Sequence, residues 1–422
     1  MTVLFAPYYF YLHYESFRRV AASLNRSGID AAILHMPCNT FNENRSFGME
    51  RMRADGCPVR QLHLCDLGWK GSSSVARMSR FPNLLINRER IREFLDVESP
   101  RLVVVGSDLG GLYVRLLLSC CRQAGIQTMI LASSASGPPA NDSEAGQTIS
   151  VSRSVKAILQ LLDLDHVALF DHWKIGSFNT EAPIAVPGKT LKEELLRDGV
   201  SEDRLFITGD PAHDAIFELK QEPVAQIRRQ ICDQLEWPES SRLIVYCTEV
   251  IHEMLGREYL VRLNVLLAEV FAALPADCRV VVKLHPRETS ETEALFKQAF
   301  RRDRYLIRRD LDLLRLMRAA HLCIGHYSRT LIDSVLLGTP VACINLANDE
   351  KRMLFDAGFG EIRLDSEQDF HKIRTLLEDK ETRNVVEHKL RDWRSRYASV
   401  LDGQSSNRNA ALISKMLVGS AA

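Results

Sequence analysis

Short apolar runs without polar alternation recur along this chain, and helical segments separate them. Leu102–Gly106 and Val341–Ile344 are two such runs. An uninterrupted apolar run is typical of a strand covered on both faces of a parallel sheet, because polar alternation appears where one face meets water. Parallel neighbours also need crossover connections, which helices supply. The pattern therefore predicts an α/β fold built from βαβ units.

The runs fall into two series, which predicts two domains. With 422 residues, 46% of them hydrophobic, the chain can bury two substantial cores. We expect an N-terminal domain over residues 1–185, a second over 186–375, and C-terminal helices over 376–422 that could pack back on the first. The expected strands are Val3–Ala6, Ala31–His35, Leu102–Gly106 and Thr128–Ala132, then Leu243–Cys247, Val280–Leu284, His321–Gly325 and Val341–Ile344.

Charge and cysteine usage narrow the class of protein. Lys plus Arg and Asp plus Glu each number 54, so no strong overall field favours nucleic acid. The ten cysteines show no CxxC or other metal-ligand spacing, and several fall in expected strands, as is usual in a reducing compartment. We find neither a signal peptide nor an apolar stretch of about 18 residues. These features predict a cytoplasmic protein that binds no nucleic acid.

One polar motif directly follows an expected strand of the second domain. Lys283 and His285 stand at the end of the apolar run that forms this expected strand, and Pro286 ends the strand. Ligands of open α/β sheets bind beyond the carboxyl ends of the strands, so both side chains should face a cleft. A histidine there can donate to a phosphoryl oxygen, although a His-Pro pair can also be an ordinary turn.

A second motif follows the strand His321–Gly325 and turns into a helix. Either Ser328 or Thr330 can cap that helix, and Gly338 ends it. The first amides of a helix lack intrahelical partners and carry partial positive charge, so such a turn can hold a phosphate without a metal ion. The alternative is a cap with no ligand. Because both motifs lie at one edge of one sheet, we favour a phosphate clamp.

Three segments of the second half carry a resemblance to a known superfamily. Gly209–Asp214, Lys283–Glu288 and Tyr327–Asp333 resemble motifs of the GT-B glycosyltransferases. More narrowly, they look like the bacterial capsule and lipopolysaccharide branch with its HP and Ser/Thr motifs. That branch includes polysialyltransferases, sialyltransferases, Kdo transferases and, more distantly, CDP-glycerol glycerophosphotransferases. The resemblance implies two Rossmann-like domains whose parallel sheets face each other across a cleft.

The resemblance also implies roles for individual residues. His285 and the turn from Ser328 to Thr330 would grip the phosphate of a CMP-sugar or CDP-polyol, and neither a metal nor a cofactor would be needed. Charge gathers on the leaving nucleotide, so donors aimed at its phosphate stabilise the transition state most. Lys283 and Arg287 could add positive charge or simply be surface cations. The donor-binding set implied by these motifs is Lys283, His285, Pro286, Arg287, Tyr327, Ser328, Arg329, Thr330 and Asp333.

The chain departs from this branch where its general base should lie. Sialyltransferases of the group place an acidic motif after an N-domain strand, but here Thr128–Ala132 runs into Ser133–Gly137, which has no carboxylate. Asp108, after the preceding strand, is one substitute, although it could equally cap the next helix. His13, in the aromatic stretch Tyr8–Tyr14, is another, although that stretch could instead be packing. Asp142 and Glu144 are the next candidates for the base.

Several functions follow from these observations. The leading one is a metal-independent, inverting GT-B glycosyltransferase that moves a nonulosonic or Kdo-type sugar from a CMP donor to a surface glycan. Transfer from a CDP-polyol, a nucleotide-sugar 2-epimerase and a non-catalytic GT-B scaffold are the alternatives. The expected partners are a nucleotide-sugar donor and a glycan acceptor, with peripheral contact at the inner face of the membrane. The chain lacks the GxGxxG and GxxxxGK[ST] loops of dinucleotide and P-loop proteins.

Overall fold

The computed structural model divides the chain into two compact units. One comprises residues 1–214 and 396–422, and the other comprises residues 215–395. Each unit has its own parallel sheet, so the predicted α/β class is confirmed. The structure describes residues 2–7, 10–36, 52–65, 74–109, 111–133, 153–168, 174–300, 304–350, 353–398 and 400–419.

The first unit contains a seven-stranded sheet in the order β3-β2-β1-β4-β5-β6-β7. All of its pairings are parallel, and Val3 of β1 lies opposite Leu102 of β4. The strands are β1 Thr2–Ala6, β2 Asp30–His35, β3 Val59–Gln61, β4 Leu102–Val105, β5 Gln127–Leu131, β6 Ile184–Val186 and β7 Leu205–Ile207.

Helices cover both faces of this sheet. Successive strand residues point to opposite sides, so each strand contributes to two apolar clusters. Leu4 and Val103 belong to one apolar cluster, whereas Val3 and Val104 belong to the other. Ile413, near the C-terminus, packs into the second cluster. The helices are α1 Phe10–Arg26, α2 Ser74–Glu98, α3 Gly111–Gln123, α4 Arg153–Leu161, α5 Asp165–Ala168 and α6 Lys189–Arg197, with Ser405–Gly419 at the end of the chain.

The second unit contains a six-stranded parallel sheet in the order β10-β9-β8-β11-β12-β13. Its strands are β8 Arg242–Cys247, β9 Cys278–Lys283, β10 Tyr305–Arg308, β11 Leu322–Gly325, β12 Val341–Ile344 and β13 Arg363–Leu364. The remaining helices are α7 His213–Gln221, α8 Val224–Gln234, α9 Ile251–Leu255, α10 Arg257–Ala272, α11 Ser290–Ala299, α12 Leu313–Ala319, α13 Arg329–Leu337, α14 His371–Glu378, α15 Lys380–Tyr397 and α16 Ser405–Gly419, the terminal helix named above.

The division differs from the predicted boundary at residues 185 and 186. β7 pairs with β6, so its backbone groups are satisfied in the first sheet, and that unit extends to Asp214. The predicted C-terminal block 376–422 is also divided. Residues up to Ser395 belong to the second unit, whereas α16 returns to the first and packs against α1. Within the described residues, no helix is long and apolar enough to span a membrane.

Candidate functional site

Three neighbouring strands of the second unit end in polar residues. β8 lies between β9 and β11 in the sheet, so the two predicted motifs flank the end of β8. β8 itself is followed directly by Thr248 and Glu249, which the sequence motifs did not single out. The rule that predicted Lys283 and His285, namely polar residues directly after a buried strand, would have identified these two residues as well. The site is therefore centred on a strand end that was missed.

His285 is half-buried, and both its backbone and its ring are fixed. Its N–H donates to Thr248 Oγ1 at 2.9 Å, which ties the His-Pro loop to the end of β8. Its Nδ1 accepts the Arg287 N–H at 3.1 Å, so the neutral ring carries its proton on Nε2. Burial, assisted by the positive charge of Arg287, lowers the pKa of His285 to about 4. At neutral pH His285 is therefore an uncharged Nε2–H donor.

Arg309 holds the His-Pro loop from the side of β10. Its guanidinium donates to the carbonyl oxygens of His285 at 3.0 Å, Pro286 at 3.2 Å and Glu288 at 3.0 Å. Lys283 Nζ in turn donates to the Arg309 carbonyl at 2.6 Å, and burial lowers the pKa of Lys283. Lys283 thus braces the loop, and its predicted role at a phosphate stays a prediction. The structure adds Arg309, which sequence reasoning missed.

Arg287 and Pro286 lie at the surface of the loop. The Arg287 guanidinium forms an ion pair with Glu253, and the two side chains are 37% and 46% exposed. Such exposed pairs contribute little to stability and can open to meet a ligand. The charge of Arg287 is therefore partly balanced in this structure.

The Ser-Arg-Thr turn caps α13 as predicted. Ser328 Oγ accepts the Thr330 N–H at 3.2 Å, and the Ser328 hydroxyl donates to Thr330 Oγ1 at 3.0 Å. The amides of residues 326–328 precede this cap and donate to no backbone carbonyl among the described residues. Three amides without a backbone acceptor, beside a helix N-terminus, make a concavity suited to an anion. We call the amides of residues 326–328 the amide nest.

The Glu249 carboxylate lies against the amide nest. Burial raises the pKa of Glu249 to about 7, while the amides of His326, Ser328 and Tyr327 act in the opposite direction by stabilising the charged form. Glu249 Oε1 is buried and has no hydrogen-bond partner in the described part of the chain. A buried carboxylate oxygen without a partner is costly, so this position is incomplete without a further group.

Tyr327 is anchored from its far end. Its hydroxyl donates to Asn345 Oδ1 at 3.0 Å, and Asn345 Nδ2 donates to Asp365 at 2.8 Å. Arg363 then joins Asp365 and Glu350 in a charged network at the ends of β12 and β13. The network fixes the ring of Tyr327 and with it the backbone of the amide nest.

Arg329 and Asp333 lie one helical turn apart at the start of α13. Arg329 Nε is 3.8 Å from Asp333 Oδ1, and both side chains are largely buried. Each charge is therefore partly balanced by the other, an arrangement that i,i+4 spacing favours. Their predicted contact with the donor stays a prediction.

A pocket of about 360 Å³ opens at the same edge of the second sheet. Tyr259 contributes to its wall, and the Tyr259 ring lies 6.3 Å from the ring of His326. The Tyr259 hydroxyl is buried without a hydrogen-bond partner among the described residues. The pocket therefore adjoins the residues of the amide nest. Its lining residues are Tyr259, Arg262, Leu263, Leu346, Asp365, Ser366, Glu367 and Gln368.

Asp108, predicted as a base, is fully buried in the first unit. Its Oδ1 accepts the Gly176 N–H at 2.9 Å, and its Oδ2 accepts the N–H groups of Phe178 and Asn179 at 2.9 and 3.0 Å. Both oxygens are thus used to fold the loop over residues 176–179. A carboxylate enclosed in this way is poorly placed to reach an acceptor hydroxyl, which weighs against Asp108 as the base.

His13, the other candidate base, lies in α1 rather than in an aromatic loop, since the helix begins at Phe10. Its ring is 3% exposed, stacks on Phe17 at 5.7 Å, and lies against Gly106 at the end of β4. Whether it acts as a base stays a prediction. Tyr8, Tyr9, Asp142, Glu144 and residues 134–137 lie outside the described residues, as do the side chains of residues 10–12.

Comparison with known proteins places these motifs within one family. A family model described as CDP-Glycerol:Poly(glycerophosphate) glycerophosphotransferase matches residues 198–415, which is more than half of the chain. The match spans all three strand ends of the candidate site. A search of curated proteins found no match.

Several solved structures share this fold. UDP-GlcNAc 2-epimerase from Neisseria meningitidis, bound to UDP-GlcNAc, is 14% identical with a TM-score of 0.60, covering 99% of this chain and 100% of its own. The glycotransferase of kitacinnamycin is 15% identical with a TM-score of 0.60, covering 98% of each chain. The wall teichoic acid polymerase TagF, in a structure obtained after a soak with CDPG, is 12% identical with a TM-score of 0.58, covering 99% and 89%. The two-domain Rossmann-like architecture predicted from the sequence is thereby confirmed.

Proposed function

Because the chain belongs to the CDP-glycerol:poly(glycerophosphate) glycerophosphotransferase family, we propose that it transfers a polyol phosphate from a CDP-polyol to a hydroxyl of a glycan or polymer acceptor. Glycerol phosphate is the unit that the family's description favours. The observation that carries the proposal is the strand-end site of the second unit, where the His285 donor and the amide nest flank Thr248 and Glu249. This choice places the CDP-polyol ahead of the CMP-sugar that the sequence alone favoured.

The site offers donors where a transfer of this kind develops charge. The acceptor oxygen attacks the phosphorus next to the polyol, the bond from that phosphorus to the bridging oxygen breaks, and CMP leaves with the electron pair. His285 Nε2–H and the amide nest would bind the phosphate oxygens, and the N-terminus of α13 adds partial positive charge. These groups are held by Thr248, Arg309 and Asn345, so they need little reorganisation when charge develops.

A base must accept the proton of the attacking hydroxyl. Of the bases predicted from the sequence and described by the structure, only His13 remains, since Asp108 is used in folding a loop. We therefore propose His13 for this role. The acceptor would be a growing surface polymer, and peripheral contact with the inner face of the membrane belongs to the same proposal.

Sugar transfer from a CMP donor is the second candidate. It is supported by the order of the HP and Ser/Thr motifs, and the same donors would bind the single phosphate of a CMP-sugar. The family model describes glycerophosphotransferases rather than sialyl- or Kdo transferases, which is why we rank this candidate second. A 2-epimerase shares the fold, but fold alone does not assign chemistry.

A donor-panel assay tests the proposal. The protein is incubated with poly(glycerol phosphate) primer and either CDP-glycerol, CMP-sialic acid, CMP-Kdo or UDP-GlcNAc, and nucleotide release and primer extension are measured. We expect CMP release and primer extension with CDP-glycerol. Extension only with a CMP-sugar would favour the second candidate, and epimerisation of UDP-GlcNAc would replace both. Nucleotide binding without any reaction would favour the scaffold alternative.

A further inference from the structure

The Glu249 carboxylate lies against the amide nest, which is suited to a single anion. The amides of residues 326–328 have no backbone acceptor, and Glu249 Oε1 is buried without a partner in the described part of the chain. An incoming phosphate would therefore approach an ionised carboxylate. Like charges at such a distance disfavour each other's ionised form. A proton on Glu249 removes this repulsion and turns the carboxylate into a donor.

We propose that Glu249 couples phosphate binding to proton uptake: when a nucleotide phosphate enters the amide nest, the Glu249 carboxylate takes up one proton from solvent and donates the resulting O–H to a phosphate oxygen. The proposal deepens the proposed function and depends on it, since the ligand is a nucleotide donor. Charge balances, because one carboxylate becomes one carboxylic acid and no covalent bond to the ligand changes.

Position and surroundings support this role for Glu249. It follows Thr248, whose Oγ1 accepts the His285 N–H, so the carboxylate lies between the two halves of the clamp. Asp108 provides a contrast within the same chain. Both of its oxygens are hydrogen-bonded to amides, whereas Glu249 keeps one oxygen without a partner. A ligand atom hydrogen-bonded to Glu249 Oε1 would supply the partner that this oxygen lacks among the described residues.

His285, His326 and the tyrosines and cysteines around Glu249 have pKa values displaced away from neutrality. Burial lowers the pKa of His285 to about 4 and that of His326 to about 3, so both rings are neutral at neutral pH. Among the described residues, burial raises the pKa of each tyrosine and cysteine that interacts electrostatically with Glu249. The pKa of Tyr259 is raised to about 12. These groups are Tyr246 and Cys247 on β8, Tyr259 on α10, Tyr327 before α13, and Cys343 on β12.

Most of the remaining charged groups near the clamp have a partner in the structure. Lys283, Arg309, Arg329 and Arg363 each have a partner in the structure. Glu288 is another buried acid whose pKa burial raises. Both of its carboxylate oxygens lack a hydrogen-bond partner in the described part of the chain, and its Oε2 lies 3.9 Å from His252 Nδ1. Glu288 is therefore the matched control for Glu249. The charged and titratable groups on the facing elements are Lys283, His285, Arg287 and Glu288 after β9, Arg309 after β10, His252 and Glu253 on α9, Arg262 on α10, His326, Arg329 and Asp333 around α13, and Glu350, Arg363 and Asp365 near β13.

Calorimetry with CDP-glycerol on the full chain tests the coupling. As a diphosphate diester, this probe lacks the monoester ionisation near pH 6, so a proton taken up belongs to the protein. Titrations between pH 5.5 and 9, each in two buffers of different ionisation enthalpy, give the protons bound. Above pH 7 we expect uptake approaching one proton and affinity falling nearly tenfold for each pH unit. The wild-type measurement alone can overturn the proposal, since binding without uptake contradicts it.

Two variants assign the proton. In Glu249→Gln we expect no proton uptake and an affinity independent of pH, because the amide is a permanent neutral donor. In Glu288→Gln the uptake should persist. Uptake that survives in Glu249→Gln, or that disappears only in Glu288→Gln, overturns the assignment. If CDP-glycerol binds at no pH, the proposed function fails and this inference fails with it, whereas binding without uptake refutes the inference alone.

Discussion

Two acids with buried carboxylate oxygens illustrate how single residues divide between folding and function. Asp108 accepts three backbone N–H groups and so organises the loop over residues 176–179. Glu249 lies against three amides but keeps Oε1 without a partner in the described structure. Both follow a buried strand, so the sequence pattern alone treats them alike. The two acids differ in the folded structure, where both carboxylate oxygens of Asp108 accept hydrogen bonds but one oxygen of Glu249 does not.

Asp108→Asn should lower stability rather than catalysis. The amide nitrogen of Asn would face backbone N–H donors that now meet an oxygen, leaving at least one buried donor unsatisfied at a cost of roughly 1–3 kcal/mol. Chemical denaturation measures this loss. Turnover per folded molecule should be unchanged. A variant of full stability that loses only its rate would restore Asp108 as the base.

Gly106→Ala should disturb His13. A Cβ at position 106 would lie under 3.0 Å from the imidazole, so the ring or the strand must shift, and overpacking of this kind typically costs roughly 1–3 kcal/mol. If His13 is the base, turnover should fall while nucleotide affinity persists. Gly419→Ala, where nothing lies within 4 Å, is the control. Normal turnover in folded Gly106→Ala would count against a precisely placed His13.

At the scale of elements, the sequence predicted long buried strands better than short ones. Eight strands were expected from apolar runs, and each is found within one or two residues of its predicted ends. β6, β7 and β13 have only two or three residues, too few for a pattern, and they form because a neighbouring strand pairs with them. Missing β7 placed the domain boundary too early.

The site was predictable in part for the same reason. His285 and the Ser328 turn were found because polar residues after buried strands carry local signals. Arg309 and Asn345 were not found, since their roles depend on contacts across 24 and 18 residues of sequence. Residue spacing does not encode such contacts. Supporting residues of this kind require the folded chain.

Arg309→Met should loosen the His-Pro loop. The variant keeps a long apolar stem but removes hydrogen bonds to three carbonyls, so the orientation of His285 should be less well defined. We expect nucleotide affinity to fall roughly tenfold, or about 1.4 kcal/mol, by calorimetry. Arg308→Met is the matched control, because Arg308 is exposed and its side chain has no hydrogen bond or ion pair to the described residues. Equal affinities in the two variants would contradict the bracing role.

At the scale of the whole molecule, the fold leaves the chemistry open. Structures with TM-scores near 0.6 include an epimerase, a glycotransferase and a teichoic acid polymerase. All share an α/β architecture that supports many reactions. The family model supplies the narrower assignment, and the strand-end residues of the second unit supply the chemistry to be tested.

Turnover should survive chelation. The proposed phosphate contacts are His285, the amide nest and the start of α13, and none of these requires a metal ion. Rates are measured with excess EDTA and after adding Mg²⁺ or Mn²⁺. Asp163, Asp165 and His166 in the first unit are close enough to share an ion, so Asp163→Asn serves as a control for an effect arising there. A rate that is lost with EDTA and restored by metal in both proteins would contradict the clamp.

We propose above all that His285 and the amide nest bind the phosphate of a cytidine nucleotide. Calorimetric titration of CMP, CDP, UDP and GDP into wild-type protein, His285→Ala and His321→Ala tests it directly. His321 is a matched control, because it is also a half-buried histidine that accepts a backbone N–H, but it lies at the opposite end of β11. We predict that cytidine nucleotides bind most tightly and that His285→Ala alone weakens them, by roughly 1.5–3 kcal/mol. Unchanged cytidine-nucleotide affinity in folded His285→Ala would contradict this assignment of the phosphate site.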